Sequence, residues 1–240
     1  MRVAACQVPD VRDDLPRALG IIAEMAERAV REEADVVLFP ECFLQGYFTD
    51  APSARQLAIR LDGTSAEPLL ALSRRFPLTF IVGLIEAGRT GCHNSAMVLR
   101  SGELLGRYRK QALLDGERDA FTAGSDMPTF DIAGRSVAIN ICYDLQFPAL
   151  SRRAAEQGAE VLLCPCNNML RRENAERWKG RHNEIRAERA REAGLWLVSA
   201  DVTGEREGRI SYGPTAAIDP QGTVTAELPL LTEGMLIVDI

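Results

Sequence analysis

Three side chains in this sequence have types and settings that could do chemistry together. Cys142 stands in Ser-Val-Ala-Ile-Asn-Ile-Cys-Tyr-Asp-Leu-Gln-Phe-Pro, where an apolar run ends and a helical pattern begins. Helix N-termini carry partial positive charge and free N–H groups, which favour a thiolate and an oxyanion beside it. Glu41 ends another apolar run, in Leu-Phe-Pro-Glu-Cys-Phe-Leu-Gln-Gly-Tyr, and Lys110 closes a hairpin-like segment, Gly-Arg-Tyr-Arg-Lys. Amide hydrolysis needs a nucleophile, a base that later returns its proton to the leaving nitrogen, and donors for the tetrahedral oxyanion. In that chemistry Glu41 takes the thiol proton, Lys110 and the Tyr143 backbone N–H hold the oxyanion, and water activated by Glu41 releases the acyl group. Taken singly, each has a plainer reading. A cysteine in an apolar strand is usually core, a strand-end glutamate usually a loop or pairing residue, and a hairpin lysine usually solvated.

The elements that must position these groups follow from periodicity. Leu15, Leu19, Ile22, Ala26, Ala29 and Val30 recur at helical spacing after Asp13-Asp14, with Pro16 in the tolerated first turn. Val36 to Phe39 is a short apolar run of the kind buried on both sheet faces. Helix-like 67–75 precedes strand 78–85, and 96–99 turns at Ser101-Gly102 into 103–110 as a hairpin. Strands at 129–132 and 136–142 flank Ala133-Gly134. They are followed by a helix at 147–157, a strand at 160–164, one long charged helix at 173–192 and a strand at 195–200. The C-terminal third reads as strands joined by turns around Tyr212-Gly-Pro, Asp219-Pro-Gln-Gly and 236–240. This order predicts an α/β fold of two mixed sheets packed face to face with helices outside.

Composition bounds the rest. A chain of 240 residues, 46% hydrophobic, is expected to form one domain with one substantial core. A formal net charge of −6 disfavours nucleic acid and anionic membranes as partners. The arginines of 171–172 and 186–191 are interleaved with Glu173, Glu176, Glu184, Glu188 and Glu192, which reads as a solvated helix face. The start of the chain reads as a strand rather than a signal peptide, and no run approaches the roughly 20 apolar residues of a membrane span. Six cysteines without an export signal imply reduced thiols and a cytoplasmic location. Cys6, Cys42, Cys92 and Cys164 read as small core hydrophobes. Cys164-Pro-Cys166 has no second pair and only two histidines are present, so zinc spacing is not met.

Phe-Pro-Glu41-x-Phe-x-x-x-Gly-Tyr, Tyr-Arg-Lys110 and Ile-Cys142-Tyr-Asp-x-x-Phe-Pro, in that order, resemble the glutamate, lysine and cysteine motifs of the nitrilase (carbon–nitrogen hydrolase) superfamily. The resemblance extends to the opening strand, to His93-Asn94-Ser-Ala, to 117–124 and to the closing strands. It implies a four-layer αββα sandwich over residues 1–240, paired into homodimers or larger homo-oligomers, with a cofactor-free and metal-free Glu-Lys-Cys site acting on a small-molecule amide. Glu117 matches the family's additional active-site glutamate. Tyr47 and Phe48 are expected to line the pocket. The amides of Asn167 and Asn168 are expected either to read substrate or to cap a turn. Cys166 lacks the helix-start setting of a nucleophile, and His182 reads as a surface or interface residue.

Several positions depart from the family pattern. Gln146 and Ala149 replace an Arg and a Glu, Ala112 a histidine and Ala193 an asparagine, which touches the anchoring of the helix after the nucleophile. The resemblance therefore implies a thiol amidohydrolase cleaving a small linear amide or N-carbamoyl compound, with nitrile hydrolysis as a variant. A catalytically silent binding protein on the same scaffold stays open, as does a metal-dependent phosphodiesterase of like layering. Lys110→Ala is expected to cost acylation with little loss of thermal stability.

Overall fold

Strands buried on both faces set the architecture. The structure is a computed structural model describing residues 1–240. Its first half contains β1 (Arg2–Pro9), α1 (Leu15–Arg31), β2 (Val36–Leu38), α2 (Ala51–Leu57), α3 (Glu67–Ser73), β3 (Thr79–Ala87), β4 (Cys92–Arg100) and β5 (Glu103–Arg109). Then come β6 (Phe130–Ile132), β7 (Arg135–Ile139), α4 (Pro148–Glu156), β8 (Val161–Pro165), β9 (Leu170–Arg171), α5 (Arg172–Trp178) and α6 (Arg181–Ala193). The chain closes with β10 (Trp196–Ala200), β11 (Val202–Arg206), β12 (Arg209–Tyr212), β13 (Ala216–Ile218), β14 (Val224–Glu227) and β15 (Gly234–Asp239).

One sheet has the order β5-β4-β3-β2-β1-β11-β12-β9, with β15 also paired to β1, and the other β14-β13-β10-β8-β7-β6. In β1, Val3 and Ala5 face the second sheet, while Ala4, Cys6 and Val8 face the layer of α1 and α3. Val36 and Leu38 against Val37, and Ile81 against Phe80 and Val82, repeat this alternation. Both faces of the sheet are apolar because both are covered. α1 buries Ala18, Ile22, Ala26 and Ala29 at helical spacing, and the Asp14 carboxylate caps it by accepting from Arg17 N at 3.0 Å. On the far side α4 and α6 bury Ala154 and Ala190 in the cluster that contains the second sheet. The four-layer αββα sandwich is the expected one.

Three details differ from the sequence expectation. The long helix of 173–192 is broken at Lys179-Gly180 into α5 and α6, because Gly180 is a poor helix former that serves as the N-cap of the second segment. The solvated basic face fails at Arg186 and Arg189, both buried: Arg186 reaches Asp201 and the Pro214 carbonyl, and Arg189 is held by Glu188 and Glu192. The strand before the nucleophile stops at Ile139 rather than 142, since Cys142 has φ of +44° and opens a 3₁₀ turn over Cys142–Gln146.

The departures at Gln146 and Ala149 do not loosen α4. Ser151 Oγ donates to Asn140 Oδ1 at 3.1 Å, and Ala154 is fully buried.

β3 approaches the loop after β2 so closely that residue 83 has no room for a side chain. A Cβ there would lie 2.1 Å from the Pro40 carbonyl oxygen, 2.6 Å from Cys42 N and 2.7 Å from the Glu41 Cα. Gly83→Ala should therefore destabilise the fold by about 1–3 kcal/mol and push the Glu41 loop outward. Urea unfolding reads the first effect; an unchanged midpoint would show that the loop yields freely.

Candidate active site

The Cys142 turn is built around a buried carboxylate. Asp144 Oδ2 accepts from Ile141 N at 2.9 Å and from Tyr108 Oη at 2.8 Å, while Oδ1 accepts from Ala112 N at 2.7 Å and Gln111 N at 3.1 Å. One side chain thus fixes the nucleophile turn to the backbone just after Lys110. Ala112 contributes through its N–H, which needs no particular side chain. The left-handed backbone at Cys142 is uncommon for a residue with a Cβ, and the Asp144 bonds hold it. No acceptor within the chain takes the Tyr143 N–H, as is usual for the first turn of a helix.

The Glu41 loop is pinned to both sheets. Phe39 N donates to Ile81 O at 2.9 Å and Leu44 N to Gly83 O at 3.1 Å, Gln45 bonds the Ile85 backbone in both directions, and Glu41 N donates to Cys166 O at 3.2 Å. Glu41 is 1% exposed. Its Oε1 accepts from Lys110 Nζ at 2.7 Å and Asn94 Nδ2 at 2.7 Å, and its Oε2 from Asn167 N at 3.0 Å.

Lys110, also buried, donates to Glu117 Oε1 at 2.8 Å as well. Asn94 Nδ2 bridges to the same oxygen at 3.3 Å, and Leu114 N donates to Glu117 Oε2 at 2.8 Å. An ammonium has three protons, so two are taken by carboxylates and one is left for the cavity.

Burial holds the Glu41 carboxyl above its ordinary range; Lys110 pulls it back and the charge of Glu117 adds to the rise. For Lys110, burial works against the charge, but Glu41, Tyr47 and Glu117 outweigh it and keep the ammonium well above its ordinary value. Cys142 reverses the expectation of a ready thiolate. A hydrogen bond to Cys166, then burial and the charge of Glu41, push the thiol well above its ordinary value. A five-residue 3₁₀ turn offers too little dipole to offset them. The thiol is neutral until a base takes its proton, and Glu41 is a buried carboxylate fitted to do so.

These groups open onto a cavity of about 590 Å³. Cys142, Glu41, Lys110, Glu117, Tyr47, Tyr143 and Asn167 all line it, so the sequence-predicted residues converge on one place. Tyr47 sets its ring 5.9 Å from Lys110 Nζ. Phe48 lies aside, beneath the Arg12 guanidinium at 3.9 Å. The Asn167 side chain accepts from Met169 N at 3.2 Å, closing a turn, while its backbone N–H holds Glu41. His182 lines the cavity too, stacked on Trp178, and burial with Arg186 beside it pushes its imidazole down to about 3. It is a neutral wall rather than a surface group.

Sequence reasoning missed Asn94, Asp144 and Arg186 as site residues, and named Asn168 without its partners. Asn168 takes the Cys142 thiol on its Oδ1 at 3.8 Å and is itself fixed by Asp201. Asn94 and Asp144 lie within stretches already singled out, but only the three-dimensional partners reveal their work. Nothing in the sequence signals the pairing of Asn168 with Asp201.

A family model described as carbon-nitrogen hydrolase matches residues 2–240. An (R)-stereoselective amidase from Pseudomonas sp. is 31% identical over 219 residues, which are 91% of this chain and 76% of that protein. A deaminated glutathione amidase from Escherichia coli O157:H7 is 28% identical over 220 residues, covering 88% and 81%. Among solved structures, a variant of the Nesterenkonia sp. AN1 amidase, with acrylamide added to its active-site cysteine, superimposes with a TM-score of 0.88 at 27% identity. It covers 100% of this chain and 93% of that one. The chain belongs to the carbon–nitrogen hydrolase family.

Of the six cysteines Cys142 alone is half-buried, and the other five are buried. With limiting iodoacetamide it should be the first thiol alkylated, at a rate that keeps rising past the ordinary thiol range near pH 8.5, because its neutral form is favoured. Peptide mapping across pH checks this; a rate already level at pH 7 would mean a preformed thiolate.

Proposed function

We propose that this carbon–nitrogen hydrolase cleaves a small linear amide or N-carbamoyl compound through a thioester on Cys142, with Glu41, Lys110 and Cys142 as the catalytic set and Glu117 as a fourth member. Residues 1–240 act as one catalytic domain, and homodimers or larger homo-oligomers are the proposed assembly. The observation that carries the reading is the convergence of a half-buried thiol, a raised buried carboxyl and a doubly clamped ammonium on one cavity.

The geometry supports the following steps. Glu41 takes the Cys142 proton as sulfur attacks the carbonyl carbon, and the oxygen gains negative charge. The free proton of Lys110 and the unpaired Tyr143 N–H lie beside that oxygen. Lys110 can serve as a fixed donor because two carboxylates hold its charge in place; no reorganisation accompanies the attack. Glu41 returns the proton to the leaving nitrogen, then takes one from water, whose oxygen attacks the thioester and frees the acid and the thiol. Glu117 steadies Lys110 opposite Glu41. The route uses no cofactor.

The cavity also bears on substrate size. About 590 Å³, walled by Leu145, Ile185 and Trp178 but also by Asn167, Asn168, Arg206 and Arg209, supports a substrate with a body of several atoms beyond the scissile amide.

Ammonia or amine release should be measured across simple amides, ω-amides, N-carbamoyl amino acids and nitriles. Turnover of an amide or carbamoyl class, lost by about 10⁴-fold in Cys142→Ala, is the expected result; equal turnover in that variant would remove Cys142 from the chemistry. Silence across the panel would favour a binding protein.

Lys110→Ala should lower kcat by about 10²–10³-fold. The structure revises its expected neutrality toward stability. Stranding Glu41 and Glu117 without their cation should cost about 3–5 kcal/mol, read as a lowered melting temperature; an unchanged one would mean that the carboxylates take up protons freely.

A further inference from the structure

Cys166 is a buried thiol that the proposed reaction does not use, and it sits against the nucleophile. β7 and β8 run parallel with Ile139 opposite Leu163, and Asn140 N continues the pairing by donating to Leu163 O at 3.2 Å. Cys142 follows the end of β7 and Cys166 the end of the adjoining β8, so both come from the same end of neighbouring parallel strands. Neighbouring strands lie about 4.8 Å apart, inside the roughly 4.4–6.8 Å Cα separation that a disulfide spans. Both thiols line the same cavity, and Cys166 is the foremost of the groups that act on the Cys142 thiol.

A second feature concerns charge. Arg186 Nη2 donates to Cys166 Sγ at 3.2 Å. That guanidinium is fixed by Asn183 Oδ1, the Pro214 carbonyl and Asp201. The cation works toward the thiolate, but Cys164 and burial outweigh it and hold the Cys166 thiol well above its ordinary value, so it attacks as a thiol that gives up its proton in the step. Cys164 Sγ lies 3.5 Å beyond, closed off in the core.

We infer that Cys166 is a resolving thiol, and that Cys142 with Cys166 forms an oxidative modification site whose co-reactant is a peroxide small enough to enter the cavity. The inference rests on the reading above only in that Cys142 can be deprotonated in its pocket. The Cys142 thiolate attacks one peroxide oxygen; the O–O bond breaks, giving a sulfenic acid, and with hydrogen peroxide the released hydroxide takes the thiol proton as water. Cys166 sulfur then attacks Cys142 sulfur. The S–S bond forms as the S–O bond breaks, and hydroxide leaves with the Cys166 proton as a second water. Two thiols lose two electrons in total and one peroxide gains them. The disulfide blocks the nucleophile but also spares it from sulfinic and sulfonic acids, which a thiol reductant does not reverse.

The test treats the purified protein with a small excess of hydrogen peroxide, blocks free thiols, and maps peptides by mass, beside a Cys166→Ser variant whose folding is checked by melting. In the wild type a Cys142–Cys166 linked peptide, lighter by two hydrogens and restored by dithiothreitol, is expected. In Cys166→Ser, Cys142 should instead gain two or three oxygens that dithiothreitol does not remove. Mass alone reads both results, so they stand apart from whether any amide is turned over. Sulfinic acid on Cys142 in the wild type without the linkage, a Cys164–Cys166 link with Cys142 free, or a Cys142 inert to peroxide would each overturn the inference. Should the variant fail to fold, the wild-type map decides by itself.

Discussion

The site depends on one ammonium placed where water cannot reach it. Lys110 is 1% exposed and donates at 2.7 Å to Glu41 and 2.8 Å to Glu117. A buried charge is tolerated only when it is paired and when the remaining lone pairs are satisfied. Asn94, Asn167 N and Leu114 N supply those bonds to the two carboxylates. Glu41, Lys110 and Glu117 come from different stretches of chain, so this constraint fixes how the loop after β2, the end of β5 and the 114–117 segment must meet. Burial, with the second carboxylate adding to it, is why Glu41 is held ready to carry a proton.

The sandwich makes that meeting possible. Glu41 follows the carboxyl end of β2 in one sheet, while Cys142 and Cys166 follow the carboxyl ends of β7 and β8 in the other. Parallel strands direct their ends to one side of each sheet, and stacking the sheets brings the two sets of ends together. Asp144 ties the nucleophile turn to residues 111–112, and Glu41 N to Cys166 O ties the base loop to β8. Gly83 lets the base loop lie directly on β3. Stability and chemistry thus share the same bonds.

Much of this is legible in the sequence. The apolar runs and helical spacings name most strands and helices, and the three motifs name the groups that converge. The misses have physical causes. A glycine within a charged helical pattern split 173–192, and the burial of Arg186 depends on Asp201 and Pro214, distant in sequence. The protonation of Cys142 differs from the sequence expectation because helix-start logic ignores a neighbouring thiol and a neighbouring carboxylate. One compositional signal was available: Lys110 is one of only two lysines among 28 basic residues, the other being Lys179. Arginine's planar fork suits paired or exposed sites, whereas a compact ammonium fits between two carboxylates and still points a proton elsewhere.

That scarcity makes the central claim directly measurable. With lysine labelled at Nζ by nitrogen-15, two resonances are expected, and Lys179→Arg assigns them. If Lys110 is clamped as described, its nitrogen keeps the ammonium shift through neutral pH and well above the range where an ordinary lysine loses its proton, with a small step when Glu41 titrates. A neutral amine signal for Lys110 at or below neutral pH would contradict the account, since an uncharged nitrogen could neither hold the two carboxylates nor serve as a fixed donor to an oxyanion.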